Sequence, residues 1–183
     1  MTDSSNQPPI TLTPTMEKYV LHWGEMGTRW GTNRTVSQIH ALLYLSPRPL
    51  NAEEIVQVLS VARSNVSTSI RELQSLGVVR VTHVLGDRRD YFESITDVWE
   101  LFTVILDRRK QREINPTLSM LRDCALSMEN DNDTHPVTRK RINEMLGFLE
   151  RTSDWYDQMR SVPATKLKKL MKLGRRVAKF VTR

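Results

Sequence analysis

Cys124 is the only cysteine in 183 residues. A single thiol excludes an internal disulfide and any multi-cysteine metal site, and it suits a reducing compartment. Long apolar runs are missing too. Nothing approaches the roughly 18 uncharged residues that span a bilayer, so the expectation is a cytoplasmic protein with no membrane partner. The opening MTDSSNQPPITLTP has neither a basic start nor an apolar core and does not read as a secretory leader. Its Pro, Ser and Asn content suits a mobile arm. Catalytic signatures are equally scarce. No glycine-rich phosphate loop follows a strand. His22, His40, His83 and His135 are scattered, with no His-x-x-x-His pair, and suit core or surface roles better than metal ligation. No Ser-His-Asp or Cys-His grouping has a supporting motif. The expectation is a non-enzymatic protein with no cofactor and no metal.

What is present points elsewhere. The net charge is +6 and the pI about 9.7, a balance that favours polyanionic partners. Hydrophobic residues make up 39%, enough for a core. The most informative stretch is Val61 to Leu76, VARSNVSTSIRELQSL. Val66, Ile70 and Leu73 recur at helical spacing as one apolar stripe. Ser64, Thr68, Arg71 and Ser75 fall opposite, with Ser67 at the edge. Short hydroxyls beside one guanidinium fit a major groove, where they reach phosphates and base edges. An ordinary amphipathic surface helix has the same periodicity, so the neighbours must decide.

Pro14 to Gly31 predicts a first helix, with Tyr19, Val20, Trp23 and Met26 on its apolar face. Gly24, Gly27 and Gly31 share a second face. Glycines cost a helix about 1 kcal/mol each, so three on one side predict close approach of a neighbouring helix. Thr35 to Ser46 is the next helix, ended by Pro47 and Pro49. Arg48 to Leu50 suits a short extended piece. Asn51 then caps a third helix, with Glu54 completing a capping box. Glu53 and Glu54 fit a helix N-terminus better than a catalytic pair. Ser60-Val61-Ala62 is a tight turn into the hydroxyl-rich helix, which Gly77 ends. Val78 to Val84 and Asp90 to Glu93 read as two strands joined at Gly86-Asp87, with Arg88 and Arg89 at the tip. Helix, helix, turn, helix and a two-stranded ribbon are the order of a winged helix, which places a helix in the major groove and a ribbon beside it.

Ile95 to Ile114 predicts a long helix with Trp99, Phe102, Ile105 and Leu106 on its apolar side. The cluster Arg108, Arg109, Lys110 and Arg112 reads as a solvated face. Asn115-Pro116 predicts a break, with Asn115 capping a new helix. After a polar loop from Glu129 to His135, Pro136 to Arg160 forms another helix. These helices have little local core to cover them, so association of two subunits would bury their apolar faces. A compact monomeric bundle is the alternative. Beyond Pro163 the segment is basic, with Leu167, Leu170, Met171, Val177, Phe180 and Val181 at roughly helical spacing. Docking on the protein's own body, a nucleic-acid tail and a membrane-surface helix all fit it.

The pattern therefore predicts a mainly α protein with a small β-wing: a winged helix-turn-helix DNA-binding domain plus a helical dimerisation region. Its parts are an arm over 1–13, the DNA-binding domain with its preceding helix over 14–94, the dimerisation region over 95–160, and a basic amphipathic C-terminal helix over 161–183.

The run LSPRPLNAEEIVQVLSVARSNVSTSIRELQSLGVVRVTHVLGDRRDYFE resembles the winged-helix core of MarR-type transcriptional regulators, and more narrowly the GbsR-type branch. EMGTRWGTNRTVSQIHALLYLS and REINPTLSMLRD look like the same branch, so the resemblance covers roughly Tyr19 to Arg122. One departure is Ala62, where the family often has a serine cap. The resemblance implies a homodimeric regulator of double-stranded DNA, often a repressor, with a small-molecule effector in some members. It implies helix contacts from Arg63, Ser64, Asn65, Ser67, Thr68 and Arg71, with Arg71 first for base readout, and wing contacts from Arg88 and Arg89. Some members sense choline-like ligands, for which Trp23, Trp30, Tyr91, Trp99 and Phe102 are candidates; the same aromatics also suit a plain core. A non-enzymatic winged-helix protein-interaction scaffold is the competing function.

Overall fold

A computed structural model describes residues 10–131, 133–163, 165–167, 169 and 173. The arm over residues 1–9 and most of the basic C-terminal segment lie outside the described residues. The chain divides into two compact units, Met1–Ile105 and Leu106–Arg183, each described by itself.

The first unit opens with α1 (Pro14–Arg29), where the Thr13 side chain accepts from the Met16 amide and Pro14 occupies the first turn. The helix ends at Arg29, short of the predicted Gly31. Gly31 adopts φ +77, so it turns the chain out of the helix instead of sharing the glycine face. Gly24 and Gly27 do form that face, packed against α2 (Arg34–Leu45). A Cβ on Gly27 would stand 1.8 Å from the Ser37 hydroxyl oxygen. Asn33 caps α2 through the Thr35 amide, one residue before the predicted start.

Leu50–Asn51 form β1, and the predicted capping box follows: Asn51 accepts from the Glu54 amide at 3.0 Å, and the Glu54 carboxylate accepts from the Asn51 amide at 2.9 Å. Arg48 anchors that carboxylate at 2.6 Å. Next come α3 (Ala52–Leu59), a turn with Ser60 at φ 52, and α4 (Arg63–Leu76). Gly77, at φ 77, closes α4 in the left-handed conformation. β2 (Val79–His83) and β3 (Asp90–Ser94) pair antiparallel, Val79 opposite Ser94 and His83 opposite Asp90. The sheet has three strands, not the expected two: β1 pairs with β3, Leu50 opposite Phe92, giving the order β1-β3-β2. Two residues carry too little alternation to announce a strand, and only the exposed edge of β3 recruits them.

Ile39, Leu42, Leu50, Ile55 and Val66 are fully buried at the centre, joined by Ile70, Leu73, Val79 and Phe92. Each such side chain contributes roughly 1.5–3 kcal/mol on burial. Leu101 and Val104 of α5 (Val98–Arg109) pack on the same core.

In the second unit the predicted break at Asn115-Pro116 does not occur. A single π-turn, Lys110–Ile114, carries the chain from α5 into α6 (Asn115–Ser127), and Asn115 keeps helical φ −60, ψ −44. It does not cap. Pro116 has no N–H to give, and the wider turn before it accommodates the change in hydrogen bonding. Helix α7 (Pro136–Arg160) matches its predicted bounds and runs antiparallel to this long helix. Lys110 bonds Asp157 at 2.5 Å, Tyr156 donates to Asp107 at 2.8 Å, and Arg122 pairs with Glu150 at 2.9 Å. Lys110 thus leaves the solvated cluster expected for it, its side chain only 18% exposed. Burial and the Asp107 carboxylate push the Tyr156 phenol up to about 12.

Candidate nucleic-acid interface

Helix α4 divides cleanly. Val66, Ile70 and Leu73 are buried against the core, and Ser69 is buried with them. Ser64, Asn65, Ser67, Thr68, Arg71 and Ser75 are all exposed. Five short polar side chains leave the helix backbone close to whatever meets it, which is what a reader of groove edges needs. The Arg71 guanidinium reaches back to the Ser67 carbonyl at 3.4 Å, a weak contact on its own helix. Arg63 also has a partner: it pairs with Glu53 of α3 at 2.7 Å while its side chain stays 73% exposed. The Ala62 N-cap makes no side-chain hydrogen bond.

The wing treats its two arginines differently. Gly86, at φ 86, and a hydrogen bond from the Asp87 amide to the Val84 carbonyl set the turn. The Asp87 carboxylate then accepts from the Arg89 amide at 2.9 Å and from its guanidinium at 3.0 Å. Tyr91 donates to the same carboxylate at 2.8 Å, and its ring lies 5.7 Å from the guanidinium carbon. These bonds hold the Asp87 carboxyl well below the usual carboxylate range and raise Arg89 further above its own. Arg89 is therefore fixed in place. Arg88 is exposed and, among the described residues, forms no ion pair.

Asp87 and the Tyr91 hydroxyl were not singled out from the sequence as organisers of the wing. The signal available was an aspartate two residues before an arginine inside a turn, a spacing short enough for a local ion pair. Glu53 was read as a capping group; the structure makes Glu54 the capping residue and turns Glu53 toward Arg63.

The aromatic candidates are dispersed. Trp23 makes edge contacts to Trp30 at 6.2 Å and to Tyr19 at 5.7 Å, and Tyr19 stacks on Tyr44 at 6.5 Å. Trp30 is 56% exposed. Tyr91 sits in β3 and is buried, committed to Asp87 and Arg89. Trp99 and Phe102 lie on α5, with Phe102 exposed. Ring contacts thus unite Trp23 and Trp30 with Tyr19 and Tyr44, two residues that were not among the candidates.

Helix-turn-helix α3–α4 followed by an arginine-tipped ribbon defines the winged helix-turn-helix class. Comparison with known proteins narrows the class. Residues 30–90 match the model of the MarR family. The chain is 20% identical over 134 residues to the HTH-type transcriptional repressor GbsR of Bacillus subtilis (strain 168), covering 72% of this chain and 74% of that one. A crystal structure of a transcriptional regulator superposes with a TM-score of 0.61 at 21% identity, covering 80% of this chain and 96% of that one; it supports the fold alone. The chain is a MarR-like winged-helix transcriptional regulator. No helix among the described residues is long and apolar enough to cross a membrane.

Proposed function

We propose that this protein is a sequence-specific double-stranded DNA-binding repressor that works as a homodimer. The observation that carries the reading is the exposed hydroxyl face of α4, with Arg71 at its centre and the unengaged Arg88 on the wing beside it. In this reading Ser64, Asn65, Ser67 and Thr68 contact phosphates and base edges. Arg71 reads a base, and Arg88 follows the backbone. Arg63 and Arg89, each held by a carboxylate, contribute as positioned cations. Two such heads one helical turn apart, about 34 Å, would meet a two-fold symmetric site. Repression is inferred from the GbsR relative, which is a repressor. An effector site is best sought at the Trp23–Trp30 pair, where one ring is open to solvent and could face a cation.

The test is selection of a preferred duplex from a random library, then binding by fluorescence anisotropy. Arg71→Ala should cost about 1–3 kcal/mol on the selected site and relax one base pair, with little change on random duplex. Arg88→Ala should weaken both duplexes and lower the salt slope by about one. Equal losses on both duplexes for Arg71→Ala contradict base readout. An absence of duplex binding at low salt contradicts DNA binding altogether and favours a protein-interaction scaffold.

A further inference from the structure

Helix α7 has two faces. Ile142, Leu146, Leu149, Ser153 and Tyr156 are half-buried along one side. The other side is open: Val137 is 48% exposed, Phe148 57% and Trp155 60%. A shallow groove of about 440 Å³ runs along this open side, lined by Lys140, Asn143, Glu144, Gly147 and Arg151. Glycine in the middle of a 25-residue helix costs about 1 kcal/mol against alanine. Nothing in its own chain demands it: a Cβ at position 147 would meet only the flexible end of Arg151, at 3.2 Å. Its absent side chain leaves room for something from outside.

The charges on this face identify the occupant. At 3.6 residues per turn, Lys140, Glu144, Arg151 and Trp155 share one stripe, with Arg141 and Asp154 on its two flanks. Lay a second α7 antiparallel on the first, with the two-fold axis between Gly147 and Phe148. Glu144 then stands level with the partner's Arg151, and the reciprocal pair forms by symmetry. Lys140 meets the partner's Asp154 on one side of the seam. On the other side Arg141 reaches the partner's Trp155, in cation–π geometry. Phe148 faces the partner's Phe148, and the two glycines let the backbones approach. A parallel pairing would set Glu144 on Glu144 and Arg151 on Arg151, so the charges choose direction as well as partner. Within one chain Glu144 has only a loose contact to Lys140 at 3.8 Å.

We infer that the open face of α7 is an isologous seam that takes the α7 of a second copy of this chain, antiparallel, centred between Gly147 and Phe148. This rests on the homodimer reading above and specifies its interface. The full-length chain is measured by sedimentation equilibrium, with circular dichroism to confirm that each variant folds. Glu144→Arg and Arg151→Glu should each raise the dimer dissociation constant about tenfold, and the double reversal should return it to within about threefold of wild type. In a Cys124→Ser background, Phe148→Cys should cross-link between two copies under mild oxidation, whereas Asp133→Cys, in the loop before α7, should not. A dimer indifferent to both reversals, or one that fails to cross-link at position 148, overturns the seam while leaving the homodimer standing. A chain that stays monomeric at every concentration overturns both.

Discussion

Replacing Gly27 by alanine sets two effects against each other. Helix α1 gains about 1 kcal/mol from the better helix former. The new methyl group, however, would lie 1.8 Å from the Ser37 hydroxyl oxygen and 2.5 Å from the Ser37 Cβ. Rotation of the serine side chain relieves the first contact. It cannot relieve the second, because that carbon is fixed to the α2 backbone. Carbon atoms pack at about 3.5–4.0 Å, so α1 and α2 must part by about 1 Å. The far side of α2 carries Ile39 and Leu42, both fully buried, and a shift there loosens the centre of the unit. Overpacking of this kind costs about 1–3 kcal/mol. Set against the helix gain, Gly27→Ala should lose about 1–2 kcal/mol, read as a lower urea midpoint at unchanged slope. Gly24→Ala meets the Gln38 side chain at 2.7 Å, at an atom that can swing aside, and should be nearly neutral. Adding Ser37→Gly to Gly27→Ala should show a favourable coupling of about 1 kcal/mol or more. A Gly27→Ala protein as stable as wild type would refute the close-approach argument.

Three further outcomes follow from the same structure. Ala62→Ser supplies the side-chain cap that α4 lacks and should raise stability by about 1 kcal/mol in urea titration; no gain would mean that the α4 entry is satisfied another way. His40, beside the Ser94 hydroxyl at 3.2 Å, is lowered from 6.5 to about 4 by desolvation. The unfolded chain therefore takes up its proton first, so stability is full above about pH 6.5 and falls by about 1.4 kcal/mol per pH unit as pH drops toward 4. Urea midpoints across that range should show this slope in wild type and lose it in His40→Gln; equal slopes would remove His40 as the cause. Asp87→Ala frees Arg89 and removes a negative charge, yet duplex affinity should fall, because the wing loses the bonds that aim the guanidinium. A rise in affinity would show that Asp87 only neutralises.

Local chemistry carried most of the reading. The Asn51–Glu54 box, the Gly77 cap and the buried stripe Val66, Ile70 and Leu73 are all legible within a few residues, since caps and periodicity act over one or two turns. The exposed face of α4 follows from its buried one. Even the glycine spacing of α1 correctly announced a close neighbour, although Gly31 turned out to end the helix. These features sufficed for the winged-helix order and for the residues most suited to meeting DNA.

What the tertiary structure alone decided is which side chains are already engaged. Arg88 and Arg89 are neighbours of the same type, yet one is open and the other is held by Asp87 under the Tyr91 ring. β1 is a strand only because β3 offers it an edge, and Lys110 leaves solvent only because α7 brings Asp157 to it. Chain order and periodicity fix what each helix buries. Partners distant in sequence are fixed by packing in three dimensions, and that packing selected among the arginines.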